Sequence, residues 1–273
     1  MEHWEGLALL ALAMAGTGLV SGLLAGLLGV GGGIVIVPVL FYVLPLFGVP
    51  EAVQMKVAVA TSLATIIPTS IVSARKHHAK GAMDVPLLKS LAPSMFVGVL
   101  LGTVAAATLR GEALTLVFAC VALLVAVNMG FTGLDYRLRD RFPTGAARQA
   151  IGGGLGGVSA VMGIGGGTVG VPVLSMFGTP IRQAVATASA FGLIISIPAT
   201  IGLMLAGIGA EGRPPYSAGW VNLVGFALIV PSSIVATPWG VKLAHSIPPL
   251  LLKRAFAVFL GITSARMFYS VLA

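Results

Sequence analysis

The sequence predicts an all-α, polytopic integral membrane protein of about eight transmembrane helices in two tandem repeats with glycine-broken first helices. Three observations lead to this fold class: low charge, long apolar stretches and an internal repeat. Of the 273 residues, 57% are hydrophobic and only 9% are charged. A soluble domain carries about 25% charged residues because its surface faces water. Most of this surface is therefore expected to face lipid.

Apolar segments follow one another along the whole chain. We place them at 7–28, 33–48, 52–74, 85–109, 113–133, 149–162, 167–178, 184–209, 220–241 and 251–272. Only a glycine cluster separates the first two segments, and the same holds for 149–162 and 167–178. We interpret each of these pairs as one interrupted helix. That interpretation gives the eight spans, since a spanning helix uses about 20 residues.

Two gaps between these segments are strongly basic, and two spans separate them, so they lie on one side of the membrane. Their charged residues are Arg75, Lys76 and Lys80 in one gap, and Arg137, Arg139, Arg141 and Arg148 in the other. The positive-inside rule makes that side cytoplasmic and predicts a multi-pass protein of the cell inner (plasma) membrane. The formal net charge of +8 then needs no nucleic-acid partner. The basic residues of the second half indicate a side less clearly.

A glycine motif recurs between the halves. Gly29-Val-Gly-Gly-Gly33, followed by Pro38, returns as Gly163-Ile-Gly-Gly-Gly167, followed by Pro172. Further on, Ala60-Thr61-Ser62 returns as Ala186-Thr187-Ala188-Ser189 with one residue of slack, and Gly81 and Asp84 return as Gly219 and Asn222. Chance apolar similarity would not keep glycines and hydroxyls in one order across a whole half.

The repeat divides the chain into a first transmembrane repeat at 1–133, a basic cytoplasmic linker at 134–148 and a second transmembrane repeat at 149–273. Four complete spans per half would place both halves the same way up. An extra crossing or a hairpin at the glycine cluster would instead invert one half relative to the other. Transporters use both arrangements, and the sequence leaves both open.

The glycine clusters are candidate binding elements. Adjacent glycines weaken a helix by about 1 kcal/mol each relative to alanine, and unpaired backbone in hydrocarbon is tolerated only where it is buried in protein or lines a cavity. The helix that restarts offers free N–H groups and a positive dipole end to an anion. We therefore predict a binding site at Gly31, Gly32, Gly33, Gly165, Gly166 and Gly167. The alternative is close helix packing, which is the role expected for Gly18, Gly22, Gly26, Gly98 and Gly102.

Six polar candidates complete the predicted site. The hydroxyls of Thr61, Ser62, Thr187 and Ser189 can donate to an oxyanion, although such groups also bond between helices or to their own helix. Lys56 and Arg182 stand near span ends, where they can attract anions or simply extend toward the interface.

Other functions find little support in the sequence. His77 and His78 have no nearby His or Cys to complete a metal site, so neither a metal nor a cofactor is predicted. No nucleophile–base pair stands out within the apolar segments, so an enzyme is not predicted. The acidic residues fall in gaps or at span ends, which favours facilitated anion flow over a buried proton relay. An interior-negative potential drives such an anion outward by about 2.3 kcal/mol per charge per 100 mV.

These motifs resemble the sulfite exporter TauE/SafE family of membrane permeases. The resemblance rests on Gly26-Leu-Leu-Gly-Val-Gly-Gly-Gly33 with Pro38, Gly163-Ile-Gly-Gly-Gly167 with Pro172, Ala60-Thr61-Ser62, Arg182 to Ser189, and Gly81 to Asp84. It implies a membrane protein of about eight spans that moves sulfur-containing oxyanions or organosulfonates such as sulfite, usually outward. The alternatives are an importer or channel for another small anion, and a membrane subunit that transports nothing. The sequence leaves homo-oligomerisation open.

Overall fold

The computed structural model describes residues 2–29, 31–131, 138–139, 141–243 and 248–272. Part of the predicted linker, at 134–137 and 140, lies outside the described residues and includes the predicted cytoplasmic Arg137. Val30 of the first glycine motif also lies outside them.

The described chain is almost entirely helical. The first repeat contains α1 (Glu2–Leu28), α2 (Gly33–Val43), a 3₁₀ turn (Leu44–Phe47), α3 (Glu51–Ala79), α4 (Val85–Thr108) and α5 (Gly111–Phe131). The second contains α6 (Gly145–Met162), α7 (Gly167–Met176), α8 (Ile181–Ala206), β1 (Ser217–Ala218), β2 (Val221–Asn222), α9 (Leu223–Leu243) and α10 (Pro249–Leu272). Within the described residues, six helices are long and apolar enough to cross a membrane. The all-α membrane fold is confirmed, whereas the count of eight spans stays a prediction.

The two repeats interlock through glycine-lined helix crossings. A methyl group added at Gly22 of α1 would lie 2.2 Å from the Ser233 carbonyl oxygen of α9. At the equivalent place, a methyl added at Gly156 of α6 would lie 2.2 Å from the Met95 carbonyl oxygen of α4. Similar contacts occur at Gly18, Gly26, Gly98 and Gly102. These glycines let the helix backbones touch, as their spacing predicts.

The first glycine cluster reverses the direction of the chain. A methyl group added at Gly32 would lie 2.7 Å from the carbonyl oxygen of Ser21. Residues 21 and 32 would be about 16 Å apart in a continuous helix, since each residue adds 1.5 Å. Beyond the turn, α2 runs back along α3: Gly33 lies beside Ser62, and Phe41 accepts a hydrogen bond from the Gln54 side chain. The prediction of one interrupted helix is therefore wrong, because α1 and α2 form a hairpin.

The hairpins place the repeats in opposite orientations. The Asn222 amide, which lies beyond the end of α8, donates to Thr61 Oγ1 in the first half of α3 at 2.9 Å. Reciprocally, the Asp84 amide beyond the end of α3 donates to Thr187 Oγ1 in the first half of α8 at 2.9 Å. Equivalent helices α3 and α8 are thus antiparallel, and a twofold axis that exchanges them lies in the membrane plane. The repeats are inverted, which settles the alternative that the sequence left open.

The reciprocal bonds also refine the alignment of the repeats. Because Thr61 and Thr187 make the same contact, they are equivalent residues, and Lys56 is then equivalent to Arg182. Ser62 corresponds to Ala188, and Ser189 corresponds to Leu63. The residue of slack that the sequence comparison introduced after the threonines is therefore not needed.

Inversion collects most of the basic residues at one end of the bundle, which we call the basic end. Helices α3, α5, α7 and α9 end there, while α4, α6, α8 and α10 begin there. Its described basic residues are Arg75, Lys76, Lys80, Lys89, Arg139, Arg141, Arg148, Arg182, Lys242, Lys253 and Arg254. The opposite end carries Lys56, Arg110, Arg213 and Arg266 together with Glu51, Glu112 and Glu211. Most basic residues of the second repeat therefore lie at the same end as those of the first, although the sequence alone indicated no clear side for them.

Cysteine labelling tests the inversion. In a Cys120→Ser background, Lys80→Cys and Arg213→Cys place a thiol on the equivalent α3–α4 and α8–α9 connections. We expect a membrane-impermeant maleimide to label them from opposite faces of membrane vesicles. Lys242→Cys serves as the control, because it lies in the second repeat but at the basic end and should label from the same face as Lys80→Cys. Labelling of Lys80→Cys and Arg213→Cys from one face would contradict the inversion.

Candidate functional site

The two hairpin tips meet in the middle of the bundle. We define the tips as residues 29–33 and 163–167, of which all the described members are buried. A methyl group added at Gly31 would lie 3.4 Å from the Gly165 Cα atom, and one added at Gly33 would lie 2.6 Å from the Gly163 carbonyl oxygen. Equivalent residues of the two repeats thus touch at the pseudo-twofold axis.

Backbone geometry explains why glycine occupies the tips. Gly29, Gly31, Gly32 and Gly163 have φ angles of 64°, 73°, 77° and 69°. This left-handed region costs other residues roughly 1–2 kcal/mol each. Glycine also leaves room for the opposite tip and for α3, because a methyl group at Gly33 would lie 2.6 Å from the Gly163 carbonyl oxygen and one at Gly163 would lie 2.8 Å from Val59 Cα. The reversal therefore depends on both the freedom and the small size of glycine.

The amide groups of the tips have few partners among the described residues. Helices α2 and α7 begin here, and neither N-cap residue, Gly32 or Gly166, receives a side-chain cap. Among the described residues, no hydrogen-bond acceptor serves the amides at 31–33 or 165–167. Each helix start also carries a partial positive charge, equivalent to roughly half an elementary charge. Two such starts at one buried place can bind an anion by charge and by hydrogen bonds.

Ser62 is the predicted hydroxyl that contacts both tips. Its Oγ atom donates to the Gly163 carbonyl oxygen at 2.7 Å. A methyl group added at Gly33 would lie 2.9 Å from the same Oγ atom. Ser62 thus belongs to the cluster that the six glycines form.

The other predicted side chains lie elsewhere. Thr61 and Thr187 accept the bonds between repeats described above, and Ser189 Oγ donates to the Ala186 carbonyl of its own helix at 2.6 Å. Lys56 Nζ donates to the Ala107 carbonyl at 2.9 Å and lies 5.6 Å from the centroid of a Trp220 ring. Arg182 is exposed at the basic end. The predicted site is therefore a central cluster with more distant polar groups, and its role in binding stays a prediction.

Thr168 is a polar residue directly beside the second tip, and the sequence interpretation missed it. It is the second residue of α7, only 2% exposed, and its Oγ1 atom has no hydrogen-bond partner among the described residues. The first repeat has Ile34 at this position. A hydroxyl directly after a glycine cluster, in one repeat only, was the available signal.

Thr168 belongs to a larger set of unpaired hydroxyls in the second repeat. Ser159 of α6 and Ser196 and Thr200 of α8 are also buried, and their hydroxyl oxygens have no hydrogen-bond partner among the described residues. Burying a hydroxyl without a hydrogen bond costs roughly 1–3 kcal/mol in proteins. Unpaired buried groups of this kind call for water or a ligand. The described part of the second repeat therefore contains buried hydroxyl groups that are available to bind water or a ligand.

Comparison with known proteins identifies the family of this chain. The profile described as "Sulfite exporter TauE/SafE" matches residues 14–267, which is nearly the whole chain. The chain belongs to the TauE/SafE family. Members of this family are membrane transporters rather than enzymes.

Two relatives support the family assignment. A probable membrane transporter protein of Haemophilus influenzae is 34% identical over 252 residues, covering 92% of this chain and 95% of the relative. A probable membrane transporter protein of Methanocaldococcus jannaschii is 29% identical over 267 residues, covering 95% and 96% of the two chains. No solved structure matches this chain significantly. This TauE/SafE protein is thus a multi-pass membrane transporter.

Proposed function

We propose that this transporter exports small sulfur-containing oxyanions, such as sulfite or organosulfonates, through a site at the two hairpin tips. The observation that carries the proposal is the meeting of two half-helix N-termini, whose amides have no acceptor among the described residues, at the centre of an inverted repeat. Discontinuous helices at corresponding places of two repeats are typical transport sites. The family name points to sulfite, and the site chemistry suits oxyanions in general.

The electrostatics of the tips favour an anion. No described Lys, Arg, Asp or Glu contacts them, so the charge at the centre comes from helix dipoles and amide groups. Neutral donors bind an anion without a fixed positive charge, which would slow the release of the anion. Ser62 and Thr168 add hydroxyl groups beside the amides. These donors suit reversible binding of an oxyanion, which has several acceptor oxygens.

The charge distribution supports export from the cytoplasm. The positive-inside rule assigns the basic end to the cytoplasmic face of the plasma membrane. An anion at that face leaves the cell down the membrane potential, by about 2.3 kcal/mol per charge per 100 mV. Flux through purified protein in liposomes should therefore follow an imposed potential. Dependence on a pH gradient instead would contradict uncoupled export, and flux without saturation or competition would favour a channel.

Thr168→Val tests the site with little change in shape. Valine removes only the unpaired hydroxyl, so we expect the unfolding stability to stay the same or rise. A hydrogen bond to a charged group contributes about 1.5–3 kcal/mol, so the half-saturating sulfite concentration should rise roughly tenfold or more. Saturation curves for sulfite flux into liposomes measure this change.

Thr103→Val is the matched control. Thr103 is buried in α4, away from the tips, and its Oγ1 atom donates to the Val99 carbonyl at 2.7 Å. Its substitution should leave the half-saturating concentration unchanged. A Thr168→Val protein with the sulfite affinity of the wild type would remove this hydroxyl from the site.

A further inference from the structure

A cavity lies at the basic end, apart from the hairpin tips. It has a volume of about 420 Å³ and lies between the start of α4, the described part of the inter-repeat segment and the α7–α8 connection. Arg141, Arg148, Gln183 and Thr179 contribute polar groups to its wall. We call this cavity the vestibule. Its volume is ample for a small oxyanion with its water shell.

The charges of the vestibule favour an anion. Two arginines, Arg141 and Arg148, and one acidic residue, Asp84, line the vestibule. Asp84 Oδ1 accepts the Leu87 amide at 2.9 Å and caps α4. Helix α8 begins at the vestibule wall after Pro180, without a side-chain cap. Positive side chains therefore outnumber negative ones in the described lining.

Arg141 lies on a segment that is fixed to α7, and Arg148 lies in the first turn of α6. The Leu138 and Arg139 amides both donate to the Met176 carbonyl at the end of α7, at 2.7 Å and 3.3 Å. The rings of Phe142 and Phe177 pack edge to face with centroids 5.1 Å apart. Arg148 Nε donates to the Pro143 carbonyl at 2.8 Å, which fixes its side chain, while its terminal nitrogens have no hydrogen-bond partner among the described residues. The vestibule is thus a built structure rather than a gap beside a loose loop.

One face of α8 connects the vestibule to the tips. Gln183 lines the vestibule, Thr187 binds the Asp84 amide, and Phe191 contacts the tip at Gly166. These residues are spaced four apart, so they lie in a row along one side of the helix. At the opposite end, the α8–α9 connection contacts the start of α3, since Gly212 packs against Pro50. This face of α8 therefore runs from the vestibule at the basic end to the buried tips.

We propose that the vestibule is a first binding site for the transported oxyanion, which Arg141 and Arg148 bind before it moves along α8 to the tips. The inference rests on the proposed transport function and adds to it a second site and its residues. Arginine suits this role because its planar fork can hold two oxygens of a sulfite or sulfonate group at once.

The test compares two double substitutions in membrane vesicles made of neutral lipid. Inside-out vesicles expose the basic end, so sulfite added outside reaches the vestibule first. We expect Arg141→Gln with Arg148→Gln to raise the half-saturating sulfite concentration roughly tenfold, because charge-assisted bonds are lost, while the maximal rate and the thermal stability stay close to wild type. Raising the salt concentration should weaken the wild type more than the variant.

Arg110→Gln with Arg213→Gln is the matched control, because it removes the same charge at the opposite end. An unchanged half-saturating concentration in the vestibule variant, or an equal rise in the control, would overturn the inference and leave the transport function intact. An effect that appears only after anionic lipid is added would assign the vestibule to a lipid headgroup and also overturn it. Absence of saturable flux in the wild type would instead overturn the proposed function, and the entry role with it.

Discussion

Gly22→Ala is expected to destabilise the fold by about 3 kcal/mol or more. The added methyl group would lie 2.2 Å from the Ser233 carbonyl oxygen and 2.7 Å from Ser233 Cα, so the α9 backbone itself has to move. Overpacking a core usually costs about 1–3 kcal/mol when side chains can adjust, and a backbone atom cannot rotate away. Chemical unfolding of the purified protein in detergent measures the loss.

Gly16→Ala on the same helix provides a control of opposite sign. A methyl group there meets nothing within 4 Å, so the variant should gain up to about 1 kcal/mol from the higher helix propensity of alanine. The second repeat offers the same comparison. Gly156→Ala, 2.2 Å from the Met95 carbonyl oxygen, should destabilise, whereas Gly154→Ala meets nothing within 4 Å. Equal stabilities within either pair would show that these helices do not cross at backbone contact.

Gly31→Ala is expected to reduce transport by about a hundredfold. Its methyl group would lie 2.9 Å from Ile66 Cγ2 and 3.4 Å from Gly165 Cα, where the two tips meet. The tip has to shift, and misplacement of binding groups by about 1 Å can cost a hundredfold in rate. Sulfite flux into liposomes, corrected for the amount of folded protein, measures this effect.

Gly48→Ala separates backbone strain from crowding at the tips. Gly48 has a φ angle of 72°, close to the 73° of Gly31, but a methyl group there meets nothing within 4 Å. Both variants carry the same left-handed strain of roughly 1–2 kcal/mol. Only Gly31→Ala should lose transport. Equal flux from the two variants would remove the tips from the transport path.

Several contacts between the inverted repeats occur in equivalent pairs. Helix α1 lies on α9 as α6 lies on α4, and Thr61 binds Asn222 as Thr187 binds Asp84. The two threonines were predicted to bind substrate, and their oxygens are occupied as acceptors by amides of the other repeat. A hydroxyl that accepts can still donate, so the predicted role of the threonines is open to mutational test. Their structural role is to accept backbone amides of the opposite repeat.

The sequence by itself determined that the protein lies in lipid, that its fold is all-α and that it contains an internal repeat. Low charge and long apolar segments require lipid contact, and hydrocarbon requires backbone hydrogen bonds to close within each helix. The recurrence of Gly29–Gly33 at Gly163–Gly167 identified the two places where that rule is broken. The spacing of Gly18, Gly22 and Gly26 likewise predicted a close helix crossing, because residues four apart share one helix face.

Only the tertiary structure decided how the chain leaves each break. A run of glycines permits either a kink or a reversal, and the choice rests on contacts such as Gly32 with Ser21 and Gly31 with Gly165. Thr61 and Thr187 find partners 161 and 103 residues away, which local pattern cannot reveal. The vestibule arises in the same manner, because the segment that carries Arg141 docks on α7 while Arg148 lies in the first turn of α6. Local sequence sets what the backbone allows, and packing between distant segments selects one of the allowed outcomes.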